Sequence, residues 1–147
     1  INPSLIKKDK KVYREKILDE EVSKKILPIL RKIVTTKEGT ASLANVDGYE
    51  IGGKTGTAQK SLGGKYSKMK INSFISVFPI SEPKFVLAIM LDEPKINEEY
   101  IYHYRDGTNI KYKGTPFNTA GWTTVEVTGQ IVEKIGPILA TKFIEIE

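Results

Sequence analysis

Apolar residues recur along this chain in two rhythms. Between Asp19 and Thr35, the residues Val22, Ile26, Ile29, Leu30 and Ile33 fall at helical spacing and predict an amphipathic helix. Asp19 suits the N-cap, and Glu20 and Glu21 sit in the first turn, where the helix dipole favours negative charge. Pro28 removes a backbone donor and predicts a kink; Thr35 to Gly39 ends the helix. After the turn signal Asn45-Val46-Asp47-Gly48 the rhythm changes. Glu50 to Gln59, Ile71 to Phe78 and Lys84 to Asp92 read as strands. The third is nearly all apolar and is expected at the centre of a sheet or covered on both faces. The short link Ile80-Ser81-Glu82-Pro83 predicts an antiparallel hairpin between the second and third strands. Helical spacing returns from Thr123 to Thr141, with Val125, Ile131, Val132, Ile135 and Leu139 facing inward and Pro137 near the end. The pattern predicts an α+β fold: an antiparallel sheet of three main strands with flanking helices.

Residues 93–121 follow neither rhythm and are long for a loop, which marks them as functional or mobile. Tyr100, Tyr102, Tyr104 and Tyr112 flank the turn signal Asp106-Gly107, so a small hairpin is expected there. Its tyrosines read as packing the hairpin onto its own scaffold. The competing reading is an aromatic, basic platform for nucleic acid.

Composition narrows the picture only a little. The chain has 147 residues, enough for one domain with a core of its own. It has no cysteine, and its single histidine, His103, argues against a His-based zinc site or a Ser-His-Asp triad. No cofactor or metal is implied. The net charge of +5 owes much to Lys7, Lys8, Lys10, Lys11, Arg14 and Lys16, read as a solvated arm. No stretch is apolar enough to span a bilayer and no signal pattern opens the chain, so a soluble segment without membrane contact is expected.

The chemistry concentrates in Gly52-Gly53-Lys54-Thr55-Gly56-Thr57-Ala58-Gln59. Read back to Gly48, it matches G-x-x-x-x-G-K-T, a phosphate-cradling loop, and Phe85 to Glu93 supplies an apolar strand ending in Asp-Glu. Read forward, Lys54-Thr55-Gly56 is the K-T-G signature of serine acyl-transferases. The flanks favour the second reading. A phosphate loop opens directly into a helix whose N–H groups face the ligand. Here Gly56, Thr57, Ser61, Gly63 and Gly64 follow, with poor helix propensity and no helical period. Lys54 is therefore expected on a strand.

These residues carry a resemblance. The chain resembles the C-terminal part of a class B penicillin-binding protein. Pro3-Ser4-Leu5-Ile6-Lys7 is similar to the family's proline-containing strand, and Leu18-Asp19-Glu20-Glu21-Val22 with Lys37-Glu38-Gly39-Thr40-Ala41 to its helix and Gly-Thr-Ala turn. Gly53 to Gln59 matches the K-T-G-T-A-Q strand, Phe74 to Pro79 and Val86 to Pro94 resemble the next two strands, and Thr119-Ala120-Gly121 leads into a similar final helix. The resemblance spans nearly all of residues 1–147 and implies a portion of a penicillin-binding transpeptidase domain, of the fold shared with β-lactamases.

In that family an S-x-x-K motif supplies the nucleophilic serine and its lysine, and an S-x-N motif follows, both before K-T-G. This chain has no S-x-N, and its S-x-x-K matches, Ser4 to Lys7, Ser67 to Lys70 and Ser81 to Lys84, lie on the wrong elements. The expectation is a fragment that lacks the nucleophile, with no catalytic residue of its own, and is inactive alone. The resemblance implies that Lys54 supplies positive charge and holds the S-x-N serine. It implies that the hydroxyls of Thr55 and Thr57 bind the substrate carboxylate, and that the Thr57 N–H is one oxyanion donor. A side chain at Gly56 would keep the substrate off the strand. The implied ligands of the parent are the D-alanyl-D-alanine stem peptide of peptidoglycan and β-lactams. Its implied partners are divisome or elongation-complex proteins, and its place is the periplasmic face of the bacterial inner membrane. A nucleotide-binding fragment and a nucleic-acid or protein interaction module remain as alternatives.

Overall fold

A computed structural model describes residues 16–103, 111–114 and 117–144. Helix α1 (Glu20–Thr35) leads through a 3-10 turn at Ser42–Ala44 into three strands, β1 (Gly52–Leu62), β2 (Lys65–Phe78) and β3 (Phe85–Asp92). A small hairpin of β4 (Ile101–His103) and β5 (Lys111–Lys113) follows, then a second 3-10 turn at Ala120–Trp122 and helix α2 (Thr124–Ile144). The sheet order is β1-β2-β3 with both pairings antiparallel. No helix among the described residues is long and apolar enough to cross a membrane.

The predicted α+β architecture is the one observed, with differences at its margins. β1 runs on to Leu62 and β2 begins at Lys65, so the hairpin extends beyond both predicted ends. Lys60, Ser61, Lys65 and Lys68 hide that extension, because a solvated hairpin carries no apolar alternation. Its turn is Gly63-Gly64, both at positive φ, where a side chain would be strained. Among the described residues β3 is an edge strand, contrary to the central position expected of it. Its residues alternate between half-buried (Phe85, Leu87, Ile89, Leu91) and exposed (Val86, Ala88, Met90).

The helical stripe of α1 also needs correction. Val22, Ile26 and Ile29 are exposed, and contact with the rest of the fold falls to Leu27, Leu30, Ile33 and Val34 near the C-terminal end. Asp19 stands at the N-cap without a side-chain capping bond; its carboxylate pairs with Lys16 at 3.0 Å. The helix runs through Pro28 and ends at Thr35 as expected. Pro137 likewise lies inside α2. The predicted tyrosine hairpin exists as β4–β5, but Tyr104 and the Asp106-Gly107 turn lie outside the described residues. So does the basic arm from Lys7 to Arg14. Tyr102 is buried, and its ring meets Tyr100 and Trp122 edge-on at 4.8 and 5.1 Å. These rings pack the hairpin onto the scaffold and do not form a stacking platform.

Among the described residues two clusters make the core. Phe74, fully buried, joins Val34, Ala41, Leu43, Ala44, Tyr102 and Val125; Val46, Ile51, Phe78 and Val132 form the second. The strand entering the site is packed too tightly for side chains. A Cβ on Gly53 would lie 2.6 Å from the Ile75 carbonyl oxygen and 2.7 Å from the Phe74 ring. One on Gly52 would lie 3.0 Å from the Arg31 backbone nitrogen of α1. Arg31 then ties helix to strand, donating from Nη1 to the Ile51 carbonyl at 2.7 Å. Burial pushes the Arg31 guanidinium below its ordinary pKa, and the carboxylates of Glu50 and Asp47 work against that shift.

The register divides the sheet into two faces. Lys54, Gly56 and Ala58 of β1 share one with Ile75, Val77, Val86, Ala88 and Met90; Thr55 and Thr57 share the other with Phe74 and Asn72. The second face carries α2 and the core. The first leaves Ile75 57%, Val86 73% and Met90 71% exposed. A contiguous apolar sheet face of this kind drives association. The 147-residue chain is expected to self-associate with rising concentration in light scattering, and Val86→Lys with Met90→Lys to shift it toward monomer. A monodisperse wild-type chain at high concentration would count against this. Phe74→Ala, which empties the centre of the first cluster, is expected to cost about 3–5 kcal/mol in urea unfolding.

Candidate active-site cleft along strand β1

Lys54 lies in β1, which continues as strand to Leu62 with no helix after it. That removes the phosphate-loop reading, because its lysine needs a helix N-terminus beside it. The Lys54 side chain is exposed, and Nζ donates to the carbonyl of its own neighbour, Thr55, at 2.8 Å. Alternation puts the threonines on the opposite face. β1 is also the outer strand of its sheet, so no strand among the described residues pairs with its free edge. A group held against that edge is therefore flanked by the Lys54 ammonium on one side and two hydroxyls on the other. Gly56 sits on the Lys54 face. A Cβ there would lie 2.6 Å from Ser73 Oγ, so the neighbouring strand already crowds the position.

On the threonine side the chain folds a cleft of about 500 Å³. One wall is Thr55 and Thr57; the others come from the end of α1 through Thr40, Leu43 and Asn45, and from Thr119 to Trp122 before α2. Each wall is built by a close approach. The Ala41 N–H donates to the Ile33 carbonyl at 3.1 Å, folding Gly39-Thr40-Ala41 back on α1, and a Cβ on Gly39 would collide with that same carbonyl. A Cβ on Gly121 would lie 2.7 Å from the Thr40 carbonyl oxygen, so glycine lets the two walls meet.

Both threonine hydroxyls are engaged from behind. Thr40 Oγ1 and Thr55 Oγ1 share a hydrogen bond of 3.0 Å, and the Ala120 N–H donates to Thr57 Oγ1 at 3.0 Å. The segment carrying Ala120 is fixed in turn by β2. Lys70 Nζ donates to Asn118 Oδ1 at 2.8 Å, and buried Asn72 Nδ2 donates to the Asn118 carbonyl at 2.9 Å and to Thr123 Oγ1 at 2.8 Å. Trp122 is held by Tyr102, whose neighbour Tyr100 bonds Gln130 and, at 3.5 Å, Glu126 of α2. Burial raises the Tyr100 phenol above its ordinary pKa, and the Glu126 charge raises it further.

Of the residues singled out from sequence, Thr55 and Thr57 meet in one cleft, while Lys54 and Gly56 lie across the sheet from it. Thr40, Ala120, Asn118 and Asn72 were not read as site residues. Gly-Thr-Ala was legible as a turn, but which strand its hydroxyl reaches is a long-range fact. The serine decoys separate. Ser67 Oγ accepts the Met69 N–H, and Lys70 bonds Asn118. Each is thus committed to a partner other than the opposite member of its pair, across a stretch where the β1–β2 register shifts. Ser81 sits in the exposed β2–β3 turn, its N–H bound to Glu50 Oε2 at 2.9 Å; Ser4 lies outside the described residues.

Comparison with known proteins agrees with this geometry. Residues 1–110 match the family model of the penicillin-binding protein transpeptidase domain. The chain is 40% identical to stage V sporulation protein D of Bacillus subtilis over 96 residues, covering 65% of this chain and 15% of that protein. It is 30% identical over 135 residues to a probable peptidoglycan D,D-transpeptidase FtsI of Caulobacter vibrioides, covering 86% and 20%. Among solved structures it is similar to the TP domain of penicillin-binding protein 3 from Burkholderia pseudomallei. That match has a TM-score of 0.54 at 28% identity and covers 77% of this chain and 29% of that one. The chain thus spans less than a third of the length of these relatives, but a family match over three quarters of its own residues, on a strand and cleft built as described, leaves one conclusion: it belongs to the penicillin-binding protein transpeptidase family.

Proposed function

We propose that this chain is the K-T-G wall of a peptidoglycan D,D-transpeptidase that cross-links stem peptides through a serine acyl-enzyme. The observation that carries the reading is the two-sided edge of β1, with Lys54 on one face and the Thr55 and Thr57 hydroxyls on the other. Acyl transfer from a D-alanyl-D-alanine terminus has three requirements: a serine nucleophile, donors for the oxyanion, and a cationic, hydroxyl-rich seat for the terminal carboxylate. An extended peptide can add to a free strand edge through its main chain, which brings its terminal carboxylate beside the threonines. In this reading Lys54 supplies the field and holds the serine of the S-x-N motif. Thr55 and Thr57 donate to the carboxylate, and the Thr57 N–H is one of the two oxyanion donors. Gly56 keeps the edge open to the substrate. The serine attacks the penultimate carbonyl, an ester forms as the amide breaks, and the terminal D-alanine leaves. An acceptor amine of a second stem peptide then takes the acyl group and frees the serine. A β-lactam enters as a mimic of the same terminus.

The nucleophile comes from the part of the protein outside residues 1–147. The exposed apolar face around Ile75, Val86 and Met90 carries Lys54, and supports a seat for that part there. The relatives' transpeptidase names support peptidoglycan as the substrate. A periplasmic location on the inner membrane, and partners in the divisome or elongation complex, follow from the same reading.

In the full-length protein, fluorescent penicillin is expected to label a serine outside residues 1–147. Lys54→Ala should lower the acylation rate by about 100-fold, the scale expected when one preorganised charged group is lost from such a site. The 147-residue chain by itself should give no penicilloyl adduct in a mass spectrum. A stable adduct on Ser4 or any other serine of the chain would overturn the assignment.

A further inference from the structure

We infer that Thr40 is a positioning residue for substrate binding: it donates its hydroxyl proton to Thr55 and thereby sets Thr55 as a donor into the cleft. The inference rests on the proposed function above and starts from a count of protons. Thr40 Oγ1 and Thr55 Oγ1 lie 3.0 Å apart, and either can donate. Two hydroxyls sharing one hydrogen bond use one of their two protons between them and leave the other for a third group. With nothing in the cleft, the two polarities are close in energy. An anionic group beside Thr55 breaks the tie. Thr55 then donates outward, and Thr40 is the donor that fills the Thr55 lone pair behind it. A hydroxyl that accepts while it donates is polarised and becomes the stronger donor.

Thr57 is arranged in the same sense. Its Oγ1 accepts the Ala120 N–H at 3.0 Å, and its own proton has no acceptor among the described residues. A backbone N–H cannot reverse its polarity, so Thr57 is fixed as an outward donor, whereas Thr55 owes its polarity to Thr40. The two threonines thus form a pair of outward donors on one face of β1, spaced by Gly56, which suits the two oxygens of a carboxylate. Thr40 is placed for this role by backbone alone. Gly39 folds the turn back on α1, and Gly121 packs on the Thr40 carbonyl. Its side chain is exposed in the cleft it lines, so burial in the core does not account for it.

The test uses the full-length protein and compares acylation by benzylpenicillin with acylation by its methyl ester, which presents no carboxylate charge. Thr40→Val removes the donor at nearly constant volume, and Thr40→Ser restores it. The expected result is a loss of about fivefold to tenfold in the second-order acylation constant of Thr40→Val for the acid. That loss should reside in the capture constant, with the limiting acylation rate unchanged, and the methyl ester should lose less than twofold. Thr40→Ser should return to wild-type values, and the melting temperature of the Thr40→Val protein should fall by no more than about 4 °C. Should Thr40→Val fail to fold, Thr40→Ala carries the same comparison. Equal losses for acid and ester would show a structural role, and no loss for either would show no role; each overturns the inference while leaving the proposed function standing. A wild-type protein that neither compound acylates would remove the proposed function, and this inference with it.

Discussion

The antiparallel register of β1 against β2 is the constraint from which the rest of the structure follows. Because side chains alternate across a strand, pairing Thr55 with Phe74 and Gly56 with Ser73 decides which chemical groups share a face. A slip by one residue would carry the threonines to the apolar face and drive Lys54 into the core. Several independent features hold the register against that slip. Phe74 is completely buried and fits only beneath Gly53, whose missing side chain leaves room for its ring. Asn72 is buried on the same face and holds Asn118 and Thr123. Both lock the pairing through the core and are indifferent to what lies on the open face.

The cleft is held from behind by elements far apart in sequence. The turn after α1 reaches Thr55, and the turn before α2 reaches Thr57. Neither contact is strong alone, since a partly solvated hydroxyl bond contributes about 1 kcal/mol net. The scaffold behind them is firmer. Arg31 joins α1 to β1 at the Ile51 carbonyl, and Lys70 and Asn72 join β2 to the second turn. Buried polar side chains here orient backbone, and backbone orients the hydroxyls. Among the described residues Asn72 Oδ1 has no hydrogen-bond partner, a desolvation cost beside the two bonds that its amide nitrogen makes.

Most of the fold was legible because it is written in short-range pattern. Alternation marked the apolar halves of the strands, and helical spacing marked α2. The solvated half of the β1–β2 hairpin was not legible, since lysines and serines fit a strand or a loop equally well. β3 misled because an apolar run reports that both faces avoid water without saying what covers them. The stripe on α1 misled for the same reason: Val22, Ile26 and Ile29 keep helical spacing yet are exposed among the described residues. The K-T-G strand was found from its motif, but its division into a lysine side and a threonine side needed the sheet. Thr40 was visible only as part of a turn, because a bond spanning fifteen positions leaves no local signal.

The root of the β4–β5 hairpin has a mechanical consequence. Tyr102 wedges against Trp122, Tyr100 is bound to Gln130 of α2, and the Gly114 N–H closes onto the Tyr100 carbonyl at 2.9 Å. These contacts make a fixed joint where the hairpin leaves the body. Insertions or deletions between the two strands beyond that joint change the reach of the hairpin without transmitting torque to Asn118 or Ala120. That joint includes Trp122, which lines the cleft, so the root of the hairpin and the wall around Ala120 hold their positions together.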